Sequence, residues 1–476
     1  MINNHDEIER LKREIVELRK ALEEAQETIK ELRSQLAQNS GNSHWPSSRD
    51  KGKKRRNKSL RQKSAKKAGG QAGHEGRTLE FSAEPDRIES HRPERCANCQ
   101  APLDASHRLP GTERRQVIDI PPLQLEVVEH QVETVVCDCC GHLTTGVFPS
   151  DVTNPVQYGP RIKALTVYLK HEHFVPYQRT HDLLCDLFGA SISPGTLENM
   201  VHQAAQRLQP VAEKIKTALL TEKVVHFDES GFYIGGERQW LHSAGSRRWT
   251  FYAPHRLRGR NATDAIDILP RFHGVAQHDH WAAYWQYEQC DHALCNAHLL
   301  RDLNAIEEDG NQPWATRFKH LLLAAKAVVA TARNNNDLSL SPDKLAQVER
   351  IYHRLVTAAL AANPPPPGGW PKGQRGRPRK TKARNLAERL DRYRRQILAF
   401  VYDFNVPFDN NLAERDIRML KVQQKVSGCF RSSVGAVAFC TIRSYTSSLR
   451  KQGLDVWSAL NSIFLGPLIE PAYPPV

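Results

Sequence analysis

The segment V-V-H-F-D-E-S-G (224–231) is an apolar run ending in carboxylates, and it reads as a buried strand that delivers Asp228. Two other stretches have the same character. In G-V-A-Q-H-D-H-W-A-A-Y (274–284) a short strand-like run ends at Asp279. In F-D-N-N-L-A-E-R-D-I-R-M-L-K (408–421) capping Asp and Asn residues lead into a helix whose first turn carries Glu414. Two strand carboxylates plus one helix carboxylate is how a DDE phosphoryl-transfer site is built. Around them, Q-W-L-H-S-A (239–244) and W-T-F-Y-A (249–253) read as strands, Thr263 to Phe272 as a helix, and A-L-C-N (293–296) as the end of another strand. Three antiparallel strands, a helix and further strands is the order of an RNase H-like α/β sheet.

Such a site transfers phosphodiesters with metal ions that activate the attacking oxygen and stabilise the leaving one. Mg²⁺ (or Mn²⁺) is held by few carboxylates and keeps waters for substrate oxygens. Asp228 is expected to bridge two ions, with Asp279 on one and Glu414 on the other. Arg418 and Lys421 lie four and seven residues after Glu414, on the same helical face, and are expected at the scissile phosphate. Asp416 should point away from that face. In C-N-A-H-L-L-R (295–301), Cys295 and His298 are expected to brace the pocket, and His298 or Arg301 to touch DNA. With Cys290 and His292 nearby, a second zinc site is the alternative reading.

The chain has 476 residues, a net charge of +14 and ten cysteines. That length holds several domains, and a concentrated basic excess points to nucleic acid. No apolar signal core opens the chain and no run approaches membrane-spanning length, so a cytoplasmic, nucleoid-associated protein without membrane contact is expected. Residues 1–37 carry a heptad, with Ile8, Ile15, Leu22, Ile29 and Leu36 at a and Leu11, Leu18, Ala25 and Leu32 at d. Ile at a with Leu at d favours a parallel two-stranded coiled coil, hence a homodimer or higher oligomer. Residues 38–89 form a basic arm; eleven positive charges against one acid in 49–67, including Lys53, Lys54, Arg55 and Arg56, suit DNA phosphates without reading bases.

Residues 90–150 hold Cys96-x-x-Cys99 and Cys137-x-x-Cys140, separated by the strand-like R-R-Q-V-I-D-I and L-E-V-V-E-H-Q-V-E-T-V-V. Two such knuckles supply four thiolates for a structural Zn²⁺ in a ribbon-like domain. Cys139 competes with Cys140 as the fourth ligand, and the spacing favours Cys140. Residues 151–220 are helical, with Tyr177 to Phe188 and a second helix capped at Ser193 arranged either as a helix-turn-helix or as a plain hairpin. The core then falls in two parts, 221–304 and 406–432. A helical insertion, 305–405, separates them, and 433–476 closes the chain as a C-terminal helical domain. Within the insertion, G-Q-R-G-R-P-R-K (373–380) is AT-hook-like, with Arg375 and Arg377 able to enter a narrow minor groove. The fold class is thus multidomain α+β.

G-G-Q-A-G-H-E-G (69–76), the paired knuckles, Y-G-P (158–160), V-P-Y-Q-R-T (175–180), S-P-G-T-L (193–197), H-F-D-E-S-G (226–231), C-N-A-H-L-L-R-D-L (295–303) and V-P-F-D-N-N-L-A-E-R-D-I-R-M-L-K-V-Q-Q-K-V-S-G-C-F-R (406–431) resemble the insertion sequence 66 family of bacterial transposases, in order and over nearly the whole chain. The resemblance implies a catalytic triad at Asp228, Asp279 and Glu414, binding of terminal inverted repeats, strand cleavage, joining of 3′-hydroxyl ends to target DNA, and assistance by other proteins of the element. His280 stands where glycine is usual after the second acid, and Ala72 where proline is usual. The alternatives are a zinc-containing DNA-binding regulator with an inactive core and an RNase H-like repair nuclease.

Overall fold

A computed structural model describes residues 4–36, 79–309, 312–365 and 380–474. Lys53, Lys54, Arg55, Arg56, Arg375 and Arg377 lie outside the described residues. The chain divides into two units, 59–128 with 187–189, and the remainder. It is mixed α/β with a helical majority. No described helix is long and apolar enough to cross a membrane.

The smaller unit is described from residue 79. Gln116 ties its start down, accepting from the Ser82 N–H (2.7 Å) and donating to the Ser82 carbonyl (2.9 Å). Its other fixed feature is the turn at Cys96, closed by an Arg95–Pro102 bridge.

The larger unit begins with helix α1 (Asn4–Leu36). The apolar stripe read as a coiled-coil seam is unburied where its side chains are described: Ile15, Leu18, Leu22, Ile29, Leu32 and Leu36 are all exposed. A short antiparallel hairpin, β1 (Thr134–Val136) with β2 (Leu143–Thr145), carries the second cysteine turn at its tip. Here the structure corrects the sequence reading. The segment R-R-Q-V-I-D-I and most of L-E-V-V-E-H-Q-V-E-T-V-V form no strand. Alternation makes a segment able to half-bury one face, but a ladder needs a second backbone. Only Thr134–Val136 finds one, while Val117 and Val127 stay exposed.

Helix α2 (Pro160–Val167) runs into a π-turn, followed by α3 (Tyr177–Phe188) and α4 (Pro194–Leu220). Pro194 at the first helical position and the Ser193 hydroxyl, which accepts the Thr196 N–H at 3.2 Å, start α4 as its sequence requires. Its apolar stripe, from Leu197 through Leu208 and Ile215 to Leu219, is buried against the sheet and the C-terminal helices.

The central sheet has five strands: β3 (Val224–Ile234), β4 (Glu237–Gly245), β5 (Thr250–His255), β6 (Val275–His278) and β7 (Asp291–Leu294). Their order is β5-β4-β3-β6-β7, antiparallel among β3, β4 and β5 and parallel from β3 through β6 to β7. Between β5 and β6 the helix expected over Thr263 to Phe272 is shorter and earlier: α5 (Arg260–Ile266) ends at Asp267, whose left-handed φ of 58° breaks it, and Pro270 sits in a separate 3₁₀ turn.

After β7 come α6 (Asn296–Asp309), α7 (Pro313–Asn334) and α8 (Pro342–Ala362). The basic stretch from 382 forms three helices, α9 (Lys382–Arg392), α10 (Arg394–Ile397) and α11 (Ala399–Tyr402). These helices share a core built on Leu299, Leu303, Phe318, Tyr352, Leu390 and Phe400. Helices α12 (Asn411–Ser427), α13 (Ser433–Lys451) and α14 (Val456–Leu465) complete the chain.

An open sheet edge invites pairing with other chains, and α13 covers that of β5. The hydroxyls of Ser448 and Ser444, one turn apart, accept the Thr250 and Tyr252 N–H groups at 3.0 and 2.9 Å. On the opposite side of this corner α12 crosses β4 at Gly245. A Cβ there would lie 2.9 Å from Asp416 Oδ2, and that carboxylate is held at 2.6 Å by Lys451, itself bonded to the Ser246 and Trp249 carbonyls. Since the carboxylate cannot retreat, Gly245→Ala is expected to destabilise the protein by about 1–3 kcal/mol, as overpacking does. Thermal denaturation checks this, and an unchanged midpoint would refute the tight crossing.

Candidate functional site

Strand alternation places the side chains of His226, Asp228 and Phe232 on the face of β3 that packs against α12, and Glu229 on the other face. Asp279 follows β6 directly, and its Oδ1 accepts the Trp281 N–H at 2.8 Å. Glu414 sits in the first turn of α12.

What joins α12 to the strand ends is the loop before it. Asn410 was read from sequence as a helix cap, yet its side chain does not cap. Its amide donates to the Phe227 carbonyl at 2.9 Å, its carbonyl faces His226 Nδ1 at 2.7 Å, and its N–H donates to Cys295 Sγ at 3.1 Å. Two further bonds hold the same loop: Gln277 Nε2 to the Pro407 carbonyl (2.9 Å) and the Asn296 N–H to the Phe408 carbonyl (3.1 Å). The segments carrying Asp228, Asp279 and Glu414 are thereby fastened together across 135 residues of chain between Asp279 and Glu414.

The charges of the other two carboxylates act on Asp228. Asp228 is held well above the usual carboxylate range, first by burial, then by the negative charges of Glu229, Asp279 and Glu414. Glu414 is also raised, by burial first and by Asp409, against the opposing pull of Arg301 and Arg418. Its Oε1 is buried without a hydrogen-bond partner among the described residues; Arg301 Nη2 and His298 Nδ1 stand off at 3.7 and 3.8 Å. An orphaned, shielded carboxylate oxygen among like charges fits a divalent cation.

Among the described residues, Cys295 Sγ, a His298 ring nitrogen and a Glu414 oxygen form the one cluster of ligand type, within 4.8 Å of one another. Burial pushes the Cys295 thiol up to about 12, and its sulfur accepts the Asn410 N–H. The alternative second zinc site does not assemble: Cys290 and His292 are not in this cluster, and both lie against the Tyr287 carbonyl.

Asp279 and Glu414 lie near enough to Asp228 for their charges to act on it, and His298, Arg301 and Arg418 lie about Glu414, but the three carboxylates form no ligand cluster within 4.8 Å among the described residues. Lys421, expected at the phosphate, has its ammonium on the Gly231 carbonyl at 2.6 Å, pinning α12 to β3. Asp416 turns away from Glu414 to Lys451 and Thr250. Sequence reasoning missed Glu229. Its side chain is 2% exposed, with Arg258 Nε at 2.6 Å and the Tyr284 hydroxyl at 2.5 Å. Arg258 in turn lies over the rings of Trp281 and Trp240, at 4.2 and 5.0 Å. This chain couples the strand of Asp228 to the loop that bonds Asp279. The adjacent acids Asp228-Glu229 in an alternating strand were the signal, since two neighbours on opposite faces need separate partners.

The two cysteine turns have the same construction. The Cys96 N–H donates to the Ala101 carbonyl and the Gln100 N–H to the Cys96 carbonyl, both at 2.9 Å; the Cys137 N–H donates to the His142 carbonyl at 2.9 Å and the Gly141 N–H to the Cys137 carbonyl at 2.8 Å. Gln100 and Gly141, each four residues after the first cysteine, have φ of 59° and 72°. Amides inside each turn, from Cys99 and Asn98 and from Cys139 and Cys140, hold the Cys96 and Cys137 thiols below their ordinary value. Cys140, not Cys139, therefore occupies the position of Cys99.

A carboxylate whose native pKa is raised binds its proton more tightly when folded, so stability falls as pH rises from the unfolded value, about 4, through the raised native one. In the absence of divalent metal the thermal midpoint is expected to fall between pH 5 and 8, and Asp228→Asn to raise it at pH 7 and flatten that slope. A midpoint at pH 7 no higher in Asp228→Asn than in wild type would contradict the charge crowding.

Three family models match the chain. The model described as Transposase IS66 family covers residues 155–438, and the zinc-finger binding domain of transposase IS66 covers 93–141. Residues 2–80 match a family of unknown function. Among curated proteins none matches the chain. The first match takes in both parts of the split core, all three carboxylates and the insertion between them, and on that extent the chain belongs to the IS66 family of transposases.

Proposed function

We propose that this transposase cuts DNA strands at the ends of its element and joins the resulting 3′-hydroxyls to target DNA by metal-dependent phosphoryl transfer. The observation that carries the reading is that the charges of Asp279, after β6, and Glu414, at the start of α12, act on Asp228 of β3, whose carboxyl is raised first by burial and then by those neighbours, while a buried Glu414 oxygen has no hydrogen-bond partner among the described residues. The strand order β5-β4-β3-β6-β7, three antiparallel and two parallel, supports an RNase H-like core.

Asp228, Asp279 and Glu414 are the residues that would hold Mg²⁺ (or Mn²⁺). When bound, the metal activates the attacking oxygen and offsets charge on the leaving one. The chain's own groups do the rest. Arg301 and Arg418, on either side of Glu414, attract the scissile phosphate. His298 lies beside the same carboxylate, and Cys295 holds the Asn410 backbone as a neutral thiol. Asn410 and Gln277 keep α12 in place relative to the strands, so the acids are positioned before substrate arrives. Asp228→Asn, Asp279→Asn and Glu414→Gln are each expected to reduce Mg²⁺-dependent cleavage of an element-end duplex to background, while end binding measured by gel shift is retained. Undiminished cleavage in any one variant removes that residue from the triad, and binding without cleavage by wild type would favour a regulator with an inactive core.

The match over 93–141 supports zinc binding. In this reading Cys96, Cys99, Cys137 and Cys140 are the ligands of one structural Zn²⁺, with Cys140 chosen by its place in the repeated turn. Purified protein should contain one zinc per chain. Cys140→Ser should lose it, and Cys139→Ser should keep it; the reverse pattern would reassign the ligand. The exposed Ile and Leu stripe of α1 supports association of two or more chains through a coiled coil. The basic arm and the Arg375–Arg377 loop would add backbone and minor-groove contacts to DNA, and other proteins of the element would assist.

A further inference from the structure

The insertion contains a cleft of ≈ 410 Å³ where α8 meets the junction of α9 and α10. Its polar lining is His353, Asp391, Arg392, Arg394, Arg395 and Gln396, and Tyr352 forms part of the wall with its hydroxyl turned inward to the Leu390 carbonyl at 2.7 Å. Arg392, Arg394 and Arg395 are exposed. None of the three has an ion pair or a side-chain hydrogen bond among the described residues; Arg392 alone lies over a ring, that of Tyr393, at 5.4 Å.

The same stretch of chain treats its other cations differently. Lys380 and Arg384 are paired with Glu388, and Arg389 with Asp302. Three guanidiniums within four residues thus share a concavity with a single carboxylate. That arrangement repels itself until an anion enters, and guanidinium forks match phosphate oxygens.

The location is informative. Tyr393, between Arg392 and Arg394, stacks on Trp285 (4.2 Å, 19°) and lies 6.4 Å from the ring of His280, the residue after Asp279. Trp285 meets His278, the residue before Asp279, edge to face at 5.3 Å. The cleft is therefore built onto the packing that supports the Asp279 loop. We propose that His353, Arg392, Arg394 and Arg395 bind the phosphodiester backbone of duplex DNA flanking the phosphate held at the carboxylates. The proposal rests on the transposase reading above and adds a second anchor, outside the catalytic residues.

The test uses full-length protein, an element-end duplex and an unrelated duplex of equal length, with binding followed by fluorescence anisotropy over a salt series. For Arg392→Gln/Arg394→Gln/Arg395→Gln the slope of log K against log salt is expected to shrink by about 2–3, at about 0.9 per lost phosphate contact. The loss should be the same on both duplexes, because backbone contacts carry no sequence information. Asp391→Asn, which removes the cleft's carboxylate, should tighten both complexes. An unchanged slope in a triple variant that melts like wild type, or no tightening in Asp391→Asn, overturns the proposal. If the triple variant does not fold, Asp391→Asn decides alone. Wild-type protein that binds DNA but never cleaves it with Mg²⁺ would defeat the catalytic reading while leaving the salt-slope comparison intact, so the two failures are distinguishable.

Discussion

The side chain of Asn410 holds this architecture together. One amide bonds the Phe227 carbonyl and faces His226 on the central strand, while the adjoining N–H reaches Cys295 at the end of β7. Buried polar groups of this kind are costly unless every bond is made. Here the amide, carbonyl and N–H of Asn410 each find a partner more than a hundred residues away in the chain. With the Gln277 and Asn296 bonds to the same loop, they set the start of α12 against the ends of β3, β6 and β7. The position of Glu414 relative to Asp228 and Asp279 follows from that seam.

The seam gathers negative charge, and the fold manages it in two ways. On the α12 face, Asp228 and Glu414 are left raised, with Arg301 and Arg418 near enough to moderate but too few to neutralise. On the opposite face, Glu229 is given a complete set of partners, Arg258 and Tyr284, and the arginine is stacked between two tryptophans. Adjacent acids of one strand thus have opposite fates: one keeps a raised carboxyl, the other fixes the loop of Asp279. Cys295 shows the same economy, since burial keeps its thiol neutral and makes it a hydrogen-bond acceptor.

The insertion is bound to the core by shared packing, Leu294 of β7 and Leu299 of α6 joining the core of α7 to α11, and by the stacking of Tyr393 on Trp285. Distances between the Asp279 loop and the arginine cleft are accordingly set by aromatic contact rather than by a tether. At the other edge, the serines of α13 close the last strand. A run of small and polar residues there, S-Y-T-S-S-L, reads poorly as a core helix, yet its hydroxyls are what an uncapped strand edge requires.

Much of this was legible in the sequence. Strand and helix periodicities placed β3 to β7, α3 and α4, and short contexts picked out Asp228, Asp279 and Glu414, because periodicity and capping are local properties written in neighbouring residues. The same locality misled elsewhere. Alternation in 114–133 announced strands that find no ladder partner, and the Thr263 helix was extended past a left-handed Asp267. What only the tertiary structure decided is which polar groups meet. Asn410 leaves its own helix for β3, Lys421 turns to Gly231, Glu229 finds Arg258, and Arg392, Arg394 and Arg395 form no ion pair among the described residues. The physical reason is that a local pattern records what a residue can bury or bond, whereas its partner is chosen by packing between segments distant in the chain.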